Sequence, residues 1–190
     1  MLYIEKSDEP LFLSDFKRKN PTQTYDSEEF AKWRIELKKV LIKEQKGLCA
    51  YCCGKLTEEK SHNEHIEPRN PGNSSNDKSL EYTNIVASCN NRETCGNKKK
   101  NKYDSTRFVS PLDKNCEEKF IYYADGTIEG DTYTIDLLNL NDYGLRSARR
   151  AVFRILMNLD KDTIKECYMN EDEENFQPYH NVIKWILKTM

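Results

Sequence analysis

No apolar run in the chain approaches the ~20 residues that a membrane-spanning helix needs, and the mean hydropathy is −0.88. The opening residues MLYIEKSDEP have neither the charged head nor the continuous apolar stretch of a secretory signal. The expectation is therefore a cytoplasmic protein with no membrane contact. A surplus of positive charge is also missing: 30 Lys and Arg stand against 32 Asp and Glu, a formal net charge of −2. Whole-chain charge thus gives no argument for a nucleic-acid partner, and local charge must carry one. No internal repeat is visible. Seven cysteines are an odd number, and a reducing compartment would keep them as thiols, which argues against a disulfide framework. Asn73-Ser74-Ser75 fits a glycosylation sequon, of little weight without a signal peptide.

What is present is enough apolar and aromatic material for a core: 37% hydrophobic residues, with 11 Tyr, 7 Phe and 2 Trp, which excludes global disorder. Residues 1 to 25 show no clean period. Beyond the Pro21 loop, Phe30, Trp33, Leu37, Val40 and Leu41 recur at helical spacing, with Ser27 placed to cap and Gly47 to stop the helix. Residues 67–79 are a loop by composition. EYTNIVASC is a short apolar segment, and CGNKKKNKY opens a short basic helix. FIYYADGTIEG predicts a hairpin turning on Asp125-Gly126 as a type I′ pair. A second amphipathic helix is expected over 142–159, with Leu145, Ala148, Val152, Ile155, Leu156 and Leu159 as its stripe and Arg146, Arg149, Arg150 and Arg154 on the remainder. After an acidic break at 171–175, Pro178 suits the first turn of a last helix ending near Met190. The whole reads as α+β: an N-terminal segment and helix (1–47), a central motif (48–110), and a hairpin with helices packed on it (111–190).

The chemistry concentrates in the middle. Cys49-Ala-Tyr-Cys52 is a CxxC pair, and Cys89 with Cys95 forms a second, wider pair. Tetrahedral zinc accepts four thiolates, and one CxxC turn supplies two of them. Cys53 competes with Cys52 for the second position. Buried thiols serving as core filler and a redox CxxC are the other readings, the latter disfavoured because no βαβ setting surrounds the motif. Cys116 and Cys167 lack partners at ligand spacing and are assigned to the core. Between the pairs lie Glu64-His65-Ile66-Glu67-Pro68-Arg69 and Tyr82-Thr83-Asn84-Ile85-Val86. Residues 92–107 carry a local excess of four positive charges, a patch for phosphates or a solvated helix face.

The order CxxC, acid-His, Asn, second cysteine pair, then Asn97-Lys98-Lys99-Lys100 resembles the HNH endonuclease family in its zinc-carrying branch. Further stretches (KSDEP, LKKVLIKEQKGLCAYC, EHIEPR, YTNIVASC, CGNKK, the Ser110-Pro111 segment with its strand and DG turn, and IDLLNLN with LRSARR) resemble the HNH nucleases of the Septu anti-phage system and of retrons, over roughly residues 1–150. The resemblance implies a ββα-metal (HNH) core with a structural zinc knuckle at Cys49, Cys52, Cys89 and Cys95. It assigns His65 as general base, Asn84 as the residue that orients it, and Glu64 with Asn97 as ligands of a catalytic Mg²⁺ or Mn²⁺. Gly96 stands directly after the last cysteine, where the family often has Asn, so Asn90 and Asn91 remain alternatives to Asn97. Arg69, Lys98, Lys99, Lys100 and Lys102 are expected to grip DNA phosphates. The arginines of 142–159 extend that groove, meet a partner or pair within the chain. An ATPase partner is also implied. A zinc-stabilised nucleic-acid- or protein-binding module without catalytic activity is the competing reading, and a redox CxxC protein a third.

Overall fold

The computed structural model describes residues 1–69, 78–169 and 174–190. The Asn73-Ser74-Ser75 sequon, most of the loop at 67–79 and the first residues of the acidic break lie outside the described residues. The stretch read as lacking a period contains a helix, α1 (Leu11–Lys19), which buries Leu13 and Phe16. Two buried residues three apart are too short a stripe to stand out in sequence. The next helix enters through a 3₁₀ turn, Glu28–Phe30, and continues as α2 (Ala31–Glu44). Ser27 stands at the start but does not cap with its side chain; its Oγ instead accepts from the Thr24 N–H at 2.8 Å. Gly47, at φ 75°, ends the helix as expected, its N–H returning to the Ile42 carbonyl at 2.8 Å.

Strands β1 (Ser61–His65) and β2 (Ile85–Cys89) pair antiparallel, with Ser61 opposite Cys89 and His65 opposite Ile85. Helix α3 (Cys95–Lys99) follows. Phe30, Leu37 and Leu41 are fully buried beside the buried β2 residues Ile85, Val86 and Ala87, and α2 packs on both strands. The second sheet pairs β3 (Phe120–Tyr122) with β4 (Ile128–Gly130). Its turn is not type I′: Gly126 is at φ 87° but Asp125 is not at positive φ. The loop closes instead through Gly126 N–H to Tyr123 O at 2.8 Å and Tyr123 N–H to Thr127 O at 3.0 Å.

Helices α4 (Thr132–Leu138), α5 (Tyr143–Leu156), α6 (Lys161–Tyr168) and α7 (His180–Thr189) complete the chain. The last begins after Pro178, not on it, with Tyr179 at its N-cap position in left-handed conformation. In α5 the expected stripe is rotated. Ile155 is 56% exposed, whereas Phe153 and Arg149 are buried, the latter at 1%. Arg149 donates from Nε to Gly126 O (2.7 Å) and from Nη2 to Leu140 O (2.8 Å), so it ties the hairpin turn to the end of α4 and cannot line a groove. Cys116 is buried as expected, but Cys167 is exposed, not core. One hydrophobic cluster runs from Met1 and Leu37 through Ile85 to Leu138, Phe153 and Ile183, so residues of 1–47, 48–110 and 111–190 share a core. Among the described residues no helix is long and apolar enough to cross a membrane.

Candidate metal centre and the adjoining acid-histidine strand

The cysteine-bearing turn is built by backbone bonds. Cys53 N–H reaches Cys49 O (3.0 Å), Cys49 N–H reaches Gly54 O (2.8 Å), and Leu56 N–H reaches Gly47 O (2.8 Å). Two links fasten it to β2: Ala50 N–H to Ala87 O (3.1 Å), and the Gln45 amide, which bonds both the N–H and the carbonyl of Ala87. The result brings Cys49, Cys52, Cys89 and Cys95 together, with all four Sγ atoms within 4.8 Å of one another. Tetrahedral zinc with ~2.3 Å bonds separates its sulfurs by ~3.8 Å, so small adjustments suffice to close the site. This answers the choice between Cys52 and Cys53: Cys52 is in the group and Cys53, at φ 59°, is not.

Thiolate charge at this centre has local support. Cys89 N–H donates to Cys49 Sγ and Gly54 N–H to Cys52 Sγ, each at 3.4 Å. Burial opposes ionisation of Cys49, yet its bonds with Cys52, Cys89 and Cys95 bring its pKa well below the usual value. The bonds with Cys49 push Cys95 well above it. Cys89 is lowered as well, chiefly through its bonds with the other cysteines, and Cys52 is raised, so without a cation the four thiols do not ionise alike, and a divalent ion is what would let all four do so.

Strand β1 carries the acid-histidine pair, and strand alternation sends its side chains to two faces. On the face toward α3, Glu64 Oε1 receives Lys99 Nζ at 3.0 Å and Tyr51 Oη at 3.4 Å. Glu64 Oε2 lies 3.4 Å from His62 Nε2. Gly96 packs against this pair so closely that a Cβ there would stand 2.5 Å from Glu64 Oε2 and 2.9 Å from His62 Nε2. Lys99, expected on the DNA-facing surface, is fully buried: its ammonium also donates to the carbonyls of His65 (3.0 Å), Ile66 (3.1 Å) and Lys100 (3.2 Å). It is unavailable to a phosphate backbone. Lys98, Lys100 and Lys102 are exposed. Arg69 pairs with Asp26 and lies over the Tyr25 ring.

On the other face, His65 is buried, edge-on to Tyr25 with centroids 4.8 Å apart, and its Nε2 bonds the Ser79 carbonyl at 2.9 Å. A carbonyl only accepts, so Nε2 carries the hydrogen and Nδ1 keeps the lone pair. Burial lowers the His65 pKa to about 4, with Arg69 adding to the effect and the Ser79 bond opposing it. Asn84 grips the backbone just beyond: its Oδ1 accepts from Glu67 N–H (2.8 Å), its Nδ2 donates to Glu67 O (3.0 Å), and Ile66 N–H bonds Asn84 O (2.9 Å). Among the described residues Asn97 makes no hydrogen bond to the Glu64 group; its amide donates to Asn91 O at 3.2 Å. Asn90 does reach the group, through a 2.9 Å bond between its Oδ1 and His62 Nδ1.

Sequence reasoning missed His62, Tyr25 and Tyr51. The spacing of His62, two residues before Glu64, held the signal, because i and i+2 share a strand face. Tyr25 comes from a distant loop and left none. No family model matches this chain, and no curated protein matches it.

Proposed function

We propose that the protein is a metal-dependent endonuclease of the HNH class that hydrolyses DNA phosphodiester bonds. The observation that carries this reading is one small unit. A four-cysteine centre pins a β1–β2 hairpin to α3, and β1 ends in a carboxylate on one face and a neutral, tautomer-fixed imidazole on the other. A phosphate reached by both must lie across the end of β1.

There His65 takes a proton from the attacking water through Nδ1, its ring held by Tyr25 and the Ser79 carbonyl. Asn84 fixes the backbone that follows His65, a positioning role. Lys99 and Tyr51 hold the Glu64 carboxylate in place, leaving Oε2 toward His62. A divalent cation bound at Glu64 would neutralise phosphate charge and stabilise the leaving 3′ oxygen. The cysteine centre is a separate, structural zinc site, since thiolates favour zinc and oxygen donors favour Mg²⁺ or Mn²⁺. Exposed Lys98, Lys100 and Lys102, with Arg69, supply contacts to the DNA backbone that carry no sequence information.

The resemblance to Septu and retron-associated nucleases supports a role as the nuclease effector of an anti-phage defence system, restrained by an ATPase partner in the cytoplasm. The test is plasmid cleavage by zinc-loaded protein with and without Mg²⁺ or Mn²⁺. Divalent-dependent nicking that His65→Ala abolishes supports the reading. Zinc-replete, folded protein that never cuts would instead be a zinc-stabilised binding module.

A further inference from the structure

The strand face that carries Glu64 holds a second donor that no motif named. Asn90 Nδ2 donates to the carbonyls of Glu59 (3.2 Å) and Ser61 (3.3 Å), which fixes its amide so that Oδ1 faces His62 Nδ1 at 2.9 Å. An amide oxygen only accepts, so Nδ1 carries the hydrogen and the lone pair of His62 lies on Nε2. That lone pair faces Glu64 Oε2 across 3.4 Å. Two acceptors pointed at each other repel unless a proton or a cation lies between them. Neighbouring ligands of an octahedral ion with ~2.1 Å bonds sit ~3 Å apart, close to the separation found here. The space is kept open by Gly96, where even one carbon would collide with both donors. Gly96 is not at positive φ, so the backbone alone does not require glycine there.

We infer that His62 Nε2 and the Glu64 carboxylate together form the protein's side of the divalent-cation site, in the space that glycine leaves at position 96, and that the nitrogen donor makes this site favour a transition-metal ion over Mg²⁺. The inference rests on the metal-dependent reading above and replaces Asn97 by His62 as the second ligand. Asn90 then acts as the outer partner that fixes the imidazole tautomer, an arrangement common among metal-binding histidines. Mg²⁺ prefers an all-oxygen shell, whereas imidazole suits the later transition metals best, and Mn²⁺, though also at home among oxygens, accepts an imidazole more readily than Mg²⁺ does.

The test uses the full-length, zinc-loaded chain and Mn²⁺ as probe, read by electron paramagnetic resonance independently of cleavage. The expected result is one Mn²⁺ site beyond zinc, with hyperfine coupling to an imidazole nitrogen. His62→Gln removes that coupling and weakens Mn²⁺ by on the order of a hundredfold while changing Mg²⁺ affinity far less. Asn90→Ala weakens Mn²⁺ by roughly tenfold, and Asn97→Ala leaves it unchanged. His62 is partly exposed, its side chain 27% accessible, so both it and Asn90 are open to substitution without loss of core; zinc content verifies the fold of each variant. Coupling that survives His62→Gln, or binding lost in Asn97→Ala but kept in His62→Gln, overturns the inference and leaves the divalent-dependent nuclease standing. Wild-type protein that binds neither Mn²⁺ nor Mg²⁺ overturns both.

Discussion

Lys99 illustrates how a single side chain changes meaning between sequence and structure. In a run of three lysines it reads as surface charge, yet it is the buried counter-ion of Glu64 and the donor to three carbonyls around the end of β1. Removing one partner of a buried pair leaves the other charge uncompensated, at a cost of roughly 3–5 kcal/mol. Lys99→Met is therefore expected to lower the urea midpoint severely and abolish cleavage, whereas Lys98→Ala and Lys100→Ala leave stability within about 0.5 kcal/mol and weaken DNA binding in a salt-dependent way. Equal, small stability losses in all three would contradict the burial of Lys99. For His65, the expected result of Ala substitution is loss of cleavage with zinc and fold retained. Its lowered pKa, about 4, also means that the acid limb of a cleavage–pH profile attributable to this residue falls near pH 4, well below the usual imidazole range.

At the scale of elements, the parts legible in the sequence were those with a strong local signal. The α2 and α5 helices, the DG hairpin and the four-cysteine set each follow from periodicity or spacing, and each occurs. What was illegible depends on distant partners. Helix α1 buries only Leu13 and Phe16. The stripe of α5 is turned because Arg149 finds the Gly126 and Leu140 carbonyls, which no local pattern announces. In the candidate site, the cysteines could be named from spacing and Glu64, His65 and Asn84 from the family resemblance, but Tyr25 and Tyr51 arrive by tertiary packing. The Arg149 tie yields a test. Arg149 reaches its two carbonyls from two separate nitrogens, Nε and Nη2, held apart in a planar fork, whereas a lysine offers all its donors from one point, so Arg149→Lys is expected to cost about 2–3 kcal/mol by leaving one carbonyl unsatisfied. Arg150→Ala, on a less buried position of the same helix, is expected to change stability little. Thermal melts of the two variants decide it.

For the molecule as a whole, two sources of stability respond to solution conditions. A structural zinc is worth roughly 10–16 kcal/mol in small zinc domains at neutral pH, and an ion held by the cysteine group would pin the turn on β2 to α3, whose first residue, Cys95, sits at φ 56°. Chelation, or Cys49→Ser, is expected to unfold the hairpin–α3 unit, seen as lost zinc and a large drop in melting temperature. The second source is buried histidine. Burial lowers both His65 and His180 to about 4, while an unfolded chain titrates them near 6.5. Between these values the unfolded state binds more protons, so stability rises with pH. The contribution is complete above about pH 6.5 and is lost as pH falls toward 4, at most about 3 kcal/mol for each residue. His62, raised by Glu64 and Asn90 against its burial, acts in the opposite sense, losing its contribution as pH rises through its folded value. Acid would also protonate metal-bound thiolates and release the ion, so the histidine share needs its own variant. His180 stacks on Phe176 with centroids 4.2 Å apart and planes 13° apart, and its buried Nδ1 has no hydrogen-bond partner among the described residues. His180→Phe keeps the stack and removes the titration. The expected outcome is a smaller loss of unfolding free energy between pH 7 and pH 5 than in wild type, at equal zinc content, measured by denaturant titration; an unchanged loss would mean that His180 takes up its proton without cost to the fold.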